Sequence, residues 1–160
     1  GDATIDAVNT NFGTNLPVDA FDTIGGLLAH ELGRVPRRGE SVDIGGLRFG
    51  FEGGGLLSPM RTPYELDEET FAAKVEALGE VDVLCAHIPP AVPELCYDVV
   101  ARRFELGSRA ILEHVRETQP RLVLFGHVHQ PLVRRARIGR TECVNVGHFR
   151  GGRTPFALSW

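Results

Sequence analysis

Two short apolar runs, each leading to a histidine, dominate the hydrophobic pattern of the chain. Residues 81–85 and 121–125 are almost continuously apolar, which is typical of strands covered on both faces of a sheet. The first run leads to His87, and the second leads to His127 and His129. The pattern therefore predicts two buried strands that carry imidazole side chains at their ends.

Helical periodicity separates these strands. Asp67 caps a predicted helix through Phe71 and Leu78, and Ser108 caps another that stops before Pro120. Alternating patterns with turns at Gly139 and Gly151-Gly152 predict three further strands, at 132–138, 141–146 and 155–159. The chain from about residue 47 onward thus alternates strand and helix and ends in strands.

The first 49 residues have the pattern of a small α+β unit. Thr4 caps a short helix, and Thr23 opens a second helix over 23–33 that ends at Gly33. Two short strands are predicted at 41–44 and 47–51, joined by a glycine pair that suits a hairpin turn.

Composition places the chain among ordinary soluble proteins. It has 160 residues with 42% hydrophobic and 24% charged residues, and its net charge of −4 argues against nucleic-acid binding. No apolar run approaches the length of a membrane helix, about 20 residues. The odd number of cysteines, Cys85, Cys96 and Cys143, predicts reduced thiols and a cytoplasmic location.

The histidines at the strand ends are candidate metal ligands. Alternate side chains of an extended chain share a face, so His127 and His129 can point at one place, and His87 follows the neighbouring strand. Neutral imidazole is the commonest protein ligand of divalent metals near neutral pH. A hydrogen-bonded loop histidine is the alternative for each. His30 and His114 are expected at the surface.

The segment from about 47 to 160 resembles the C-terminal half of a calcineurin-like metallophosphoesterase. The similarity is carried in order by Ala86-His87-Ile88-Pro89-Pro90, Gly107-Ser108, Phe125-Gly126-His127-Val128-His129, Ile138-Gly139-Arg140-Thr141 and Val144-Asn145-Val146-Gly147. The resemblance implies a β-sandwich flanked by helices and a metal site formed by His87, His127 and His129. Asn145 is expected to bond backbone in a turn rather than to ligate metal.

The resemblance also implies an incomplete site. The first half of that fold normally supplies Asp-x-His, a bridging carboxylate and Gly-Asn-His-Asp/Glu, and none of these is present here. Without the bridging carboxylate, two metal ions about 3.5–4 Å apart would repel each other strongly. We therefore expect poor occupancy by two ions, whereas a single divalent ion (Mn, Fe, Zn or Ni) could still bind. No catalytic residue is assignable, and we expect hydrolysis of a small phosphoester far below that of an intact family member.

The first 49 residues resemble the CorC/HlyC transporter-associated domain. The similarity is carried by Ile5-Asp6-Ala7-Val8-Asn9, Leu16-Pro17, Phe21-Asp22-Thr23-Ile24-Gly25-Gly26-Leu27, Leu32-Gly33-Arg34-Val35-Pro36, Gly39-Glu40 and Gly45-Gly46-Leu47-Arg48-Phe49. That family is regarded as a regulatory module that follows membrane and CBS domains. Its fold implies flavin (FAD) or nucleotide binding.

The predicted fold is of the α/β (α+β) class and is divided into segments 1–49 and 50–160. Two functional hypotheses follow for this chain. One is a metal-dependent phosphoesterase-like protein with an incomplete dimetal site. The other is a CorC/HlyC-type regulatory or flavin/nucleotide-binding module fused to a non-catalytic remnant. Because half of the parent sheet is missing, we expect strand 47–51 to cover its edge, with Ile24, Leu27 and Leu28 packed nearby. Incomplete cover would lead to self-association.

Overall fold

The computed structural model describes residues 4–12, 15, 17–19, 21–22, 24–34, 39–44, 46–59 and 61–147. The chain divides into two compact units. One contains Gly1–Arg37 with Ala157–Trp160, and the other is Arg38–Phe156.

The first unit contains two short helices, α1 (Ile5–Phe12) and α2 (Ile24–Glu31). Ile5 is buried, and its backbone N–H donates a hydrogen bond of 3.1 Å to the carbonyl of Asp22. His30 is exposed, as predicted, and its ring lies 4.6 Å from that of Phe21.

The second unit is organised by one six-stranded sheet with the order β1-β2-β5-β8-β10-β9. Its strands are β1 (Glu40–Ile44), β2 (Leu47–Glu52), β5 (Val83–Ala86), β8 (Leu122–Phe125), β9 (Arg135–Ile138) and β10 (Thr141–Asn145). The four inner strands run parallel, whereas β1 and β9 pair antiparallel at the two edges. The carboxyl ends of four strands therefore meet at one end of the sheet.

The predicted cover of β5 is confirmed by the pairing of β2. Phe49 lies opposite Val83 and Phe51 opposite Cys85 in a parallel register, so β5 and β8 are both inner strands. The outer strand β9 carries exposed Arg135 and Arg137, and charged side chains discourage pairing between the edges of two molecules. The packing of the α2 stripe near the sheet and the self-association of the chain stay predictions.

The helices of the second unit pack on this sheet with the predicted caps. In α3 (Glu68–Ala77), the Asp67 side chain accepts from the Thr70 N–H at 2.8 Å. In α5 (Arg109–Thr118), the Ser108 hydroxyl accepts from the Ile111 N–H at 3.1 Å. The apolar core between sheet and helices contains Phe71, Val75, Leu84, Ile111, Val115, Val123 and Phe125, among others.

Two small sheets project beyond the main one. Strands β3 (Gly55–Leu56) and β4 (Glu65–Leu66) pair in parallel. After a short helix, α4 (Pro93–Cys96), strands β6 (Tyr97–Asp98) and β7 (Arg103–Phe104) form an antiparallel hairpin. Within the described part of the chain no second large sheet faces the first, so the expected phosphoesterase sandwich is not confirmed, whereas a mixed α+β fold is.

The expectation that His114 lies at the surface is wrong. Only 7% of this residue is exposed, because it faces α3 across the α3–α5 packing. It lines a cavity of about 390 Å³ together with Glu76 and Glu80 of the α3 region and Glu113 and Glu117 of α5. Burial lowers the pKa of His114, and the charge of Glu117 opposes that shift.

The remaining expectations concern the cysteines, the end of the chain and membrane-spanning helices. Cys85, Cys96 and Cys143 are free, in agreement with the prediction, and burial raises the pKa of the Cys85 thiol to about 11. Residues 148–160 lie outside the described residues. They include His148, the predicted turn at Gly151-Gly152 and the predicted strand 155–159. No helix in the described ranges has the length and apolar character needed to cross a bilayer.

Close packing around Gly107 generates a prediction about stability. A Cβ at Gly107 would lie 2.5 Å from the Cys96 sulfur and 3.0 Å from the Cα of Ala91. Gly107→Ala should therefore destabilise the chain by about 1–3 kcal/mol, because the overpacked core must shift. Urea unfolding followed by circular dichroism would measure the change. Gly126→Ala is the matched control, since its Cβ would meet nothing closer than 3.8 Å. Equal stability of the two variants would contradict the prediction.

Candidate histidine site

Four polar residues lie at the carboxyl ends of the parallel strands. Glu52 ends β2, His87 follows β5, His127 follows β8, and Asn145 ends β10. The His87 N–H donates to the Glu52 carbonyl at 3.2 Å, and the Gly126 N–H donates to the His87 carbonyl at 3.1 Å. Backbone hydrogen bonds thus continue past the strands and tie these loop starts together.

The structure brings the rings of His87 and His127 into contact. Their centroids are 5.1 Å apart, and the ring planes meet at 70°. His127 is half-buried, whereas His87 and His129 are exposed. Desolvation lowers the pKa of His87, with a smaller contribution from the charge of His129. Desolvation also lowers the pKa of His127, followed by the charge of His87, so both rings favour the neutral form that a metal requires.

His127 adopts a left-handed backbone conformation with φ of 64°. Few residues other than glycine adopt this conformation, although histidine does so more often than most. The φ value turns the chain sharply after β8, so the i, i+2 rule for extended chain does not apply to His127 and His129. Gly126 does not mark a close approach of backbone, because the nearest atom to a Cβ there would be the Gly147 carbonyl oxygen at 3.8 Å. The unusual backbone is at the histidine instead.

Asn145 holds this turn in place. Its Nδ2 donates to the Val128 carbonyl at 2.8 Å and to the Gly126 carbonyl at 3.4 Å, while its Oδ1 accepts from the Gly147 N–H at 2.8 Å. The side chain is almost fully buried. The prediction that Asn145 bonds backbone in a turn is confirmed.

Asp98 holds the far side of the histidine loop. Its carboxylate accepts from the Gln130 N–H at 3.1 Å and from the N–H groups of Val100 and Ala101 at 2.9 and 2.8 Å. These bonds lower the pKa of Asp98, the Ala101 N–H contributing most, and the charge of His129 also lowers it. Asp98 is not among the residues predicted from the sequence, although an aspartate before a turn in the hairpin pattern was a usable signal.

The donors in this site fit at most a single divalent ion. His87 and His127 supply two adjacent imidazoles, yet within the described residues no three histidine, cysteine or carboxylate side chains are grouped as a metal site. His129 does not complete such a group. Metal ligation by His87, His127 and His129 therefore stays a prediction, and a bound ion would need water for the rest of its coordination shell.

Glu52 is the second residue that sequence reasoning missed. It is 1% exposed, and its Oε2 lies 3.7 Å from the position of a Cβ on Gly39. The carboxylate therefore lies near Gly39, and it does not join the histidines as a metal ligand in the described part of the structure. The alternating pattern of β2, which ends in this glutamate, was the available signal.

A cleft of about 630 Å³ opens beside the histidine pair. The elements around it are the β3–β4 region, the loop after β5, and the β7 strand with its following residues. Its lining includes His87, Ile88, Phe104, Leu106, Tyr64 and His127. Ser58 fixes one wall, since its N–H and hydroxyl donate to the Glu65 carboxylate at 2.8 and 2.7 Å. Gly54 and Gly55 also line this cleft.

Comparison with known proteins accounts for the first third of the chain. Residues 1–52 match the CorC_HlyC family, described as a transporter associated domain. The magnesium and cobalt efflux protein CorC of Escherichia coli strain K12 is 45% identical over 47 residues, which cover 29% of this chain and 16% of that protein.

Two other CorC proteins give similar values. The protein from Vibrio cholerae is 46% identical over 46 residues, covering 29% of this chain and 16% of its own length. The protein from Buchnera aphidicola is 49% identical over 41 residues, covering 26% and 14%. The matched part thus spans less than a fifth of these curated relatives.

The fold of the chain resembles that of a solved crystal structure with a TM-score of 0.54. The two sequences are 17% identical, and the similarity covers 72% of this chain and 46% of the other. At this level of identity the similarity concerns the fold alone. The phosphoesterase resemblance of residues 47–160 therefore stays a prediction.

The hydrogen bonds of Asn145 generate a prediction about the histidine turn. Asn145→Ala should lower the free energy of unfolding by about 1–3 kcal/mol, because it leaves buried backbone groups without a partner. Val146→Ala is the control, since that neighbouring side chain is 37% exposed and should change stability by less than about 0.5 kcal/mol. Urea denaturation of both variants would test this. A stable Asn145→Ala protein with unchanged His127 ring resonances would contradict it.

Proposed function

We propose that residues 1–52 act as a regulatory segment of the transporter-associated type and that the rest of the chain is not an efficient enzyme. The observation that carries this proposal is the match of residues 1–52, supported by 45% identity over 47 residues to a magnesium and cobalt efflux protein. The regulatory role and FAD or nucleotide binding come from the family resemblance. Both properties belong, in this proposal, to residues 1–52 and not to the rest of the chain.

The sheet offers a route by which such a segment would influence the histidine site. Strand β2 belongs to the matched residues and pairs with β5, whose carboxyl end leads directly to His87. The His87 N–H is bonded to the Glu52 carbonyl, the last residue of the match. A ligand that shifts β2 would therefore shift the backbone of His87.

Metal-dependent phosphoester hydrolysis is the second candidate function, favoured by one observation. His87 and His127 contact each other at the ends of adjacent parallel strands and have lowered pKa values. A bound divalent ion would supply Lewis acidity and an activated water. The chain's own residues orient the two imidazoles through Asn145 and the backbone bonds. Among the described residues no carboxylate is grouped with these histidines to balance a second ion.

The first proposal predicts flavin binding that does not depend on the histidines. FAD should bind the full chain with a Kd of about 1–100 μM, measured by flavin fluorescence and calorimetry. His127→Ala should leave that Kd within about twofold, because this residue lies outside residues 1–52. Absence of saturable binding would contradict flavin binding, and a large loss in His127→Ala would move the site away from the matched segment.

The second candidate predicts weak hydrolysis with a clear metal dependence. Bis(4-nitrophenyl) phosphate with Mn²⁺ should be turned over far below about 1 s⁻¹, the lower end of typical enzyme rates. Chelation or His127→Ala should abolish the activity, whereas His30→Ala, a change at an exposed histidine in the other unit, should not. Turnover at ordinary enzyme rates would contradict this expectation and show that a further carboxylate takes part in metal binding. Activity retained in His127→Ala would exclude the histidine site.

A further inference from the structure

We propose that the cleft beside His87 and His127 binds a flat, uncharged aromatic molecule with a hydrogen-bonding edge, of the nucleoside class. This inference goes beyond the proposed function, because it assigns a ligand to residues 54–127 rather than to the matched segment 1–52. It requires neither a bound metal nor hydrolysis.

The size and lining of the cleft fit such a ligand. Its volume of about 630 Å³ lies within the usual range for small-molecule sites, about 300–1,000 Å³. Leu56, Ile88 and Leu106 contribute apolar walls. Polar groups come from the two histidines, from the charged residues of the rim, and from Ser58, Thr62 and Tyr64. An apolar cleft with a few grouped polar atoms is the usual form of a site for a drug-sized molecule.

Phe104 provides a surface for stacking. Phe104 is 66% exposed although it lies in a strand, and its side chain lines the cleft. Its ring is held by Tyr97, its cross-strand partner in the β6–β7 hairpin, with centroids 5.1 Å apart in an edge-on arrangement. An exposed aromatic ring that is fixed by a neighbour loses little conformational freedom on binding, and nucleobases stack well on such rings.

The histidine pair supplies the hydrogen-bonding groups. A neutral imidazole presents one N–H donor and one nitrogen acceptor. His87 and His127 stand side by side, so together they offer both kinds of group within a few ångströms. The edge of a purine also combines donors and acceptors over a similar span, which matches this arrangement.

The charges around the cleft favour an uncharged ligand over an anion. The lining contains Glu65, Glu105 and Arg103, and the Arg103 guanidinium already bonds the Glu105 carboxylate at 2.8 Å. Glu65 keeps a lowered pKa through its bonds from Ser58 and so remains ionised at neutral pH. The rim therefore carries one carboxylate that no lining cation neutralises, and a phosphate group would be repelled.

Titration of the full chain with adenosine tests the proposal. The protein is first treated with a chelator, and binding is followed by calorimetry and by the histidine ring resonances. Adenosine should bind saturably and shift the resonances of His87 and His127. Ribose should not bind, and adenosine monophosphate should bind at least about threefold more weakly at low salt, because its phosphate meets Glu65.

Phe104→Leu and Leu132→Ala form the matched pair of variants. Phe104→Leu keeps an apolar side chain but removes the ring, and it should weaken adenosine binding by about fivefold or more. Leu132 is also exposed but does not line the cleft, so Leu132→Ala should bind as the unaltered chain does. Circular dichroism would show that both variants are folded, as expected for changes at residues that are 66% and 55% exposed.

Three results would overturn the proposal. They are absence of saturable adenosine binding, unchanged binding in Phe104→Leu, and tighter binding of the monophosphate than of adenosine in chelated protein. These results are separate from the flavin experiment, because a flavin site within residues 1–52 would not respond to Phe104→Leu. Flavin binding that is lost in this variant would instead place that ligand in the cleft.

Discussion

The parallel pairing of β2, β5, β8 and β10 is the constraint on which the rest of the second unit depends. Parallel strands place all their carboxyl ends at one end of the sheet, where loops with polar side chains begin. Three residues meet there from separate parts of the sequence, namely His87, His127 and Asn145. Their proximity therefore depends on the register of the sheet rather than on any local motif.

Several hydrogen bonds hold the backbone around the histidines, whereas few potential metal ligands lie beside them in the described part of the structure. Asn145 and Asp98 hold the 126–130 loop from two sides through hydrogen bonds to backbone groups. This support maintains the left-handed conformation of His127, which would otherwise be unfavourable. Two adjacent imidazoles supported in this way fit recognition of a small molecule at least as well as they fit catalysis with two metal ions.

Local chemistry made part of the structure predictable from the sequence. The caps at Asp67 and Ser108 act within three residues, so the sequence alone indicated where α3 and α5 begin. Burial of His114 depends on the packing of α5 against α3, which no local pattern encodes. The cleft likewise arises from segments more than 40 residues apart, from Gly54 to Phe104, so sequence periodicity gave no indication of it.

The end of the family match and the boundary of the compact unit do not coincide, and this limits how the matched segment can vary in sequence. The match extends to residue 52, whereas the second compact unit begins at Arg38. Strands β1 and β2 thus belong both to the matched segment and to a sheet whose other strands lie outside it. A sequence change in β1 or β2 is tolerated only if it preserves the alternation and register of the sheet, because a slip of one residue turns every side chain of a strand to the opposite face. Variation in the last strands of the matched segment is therefore limited by a sheet whose other four strands lie outside that segment.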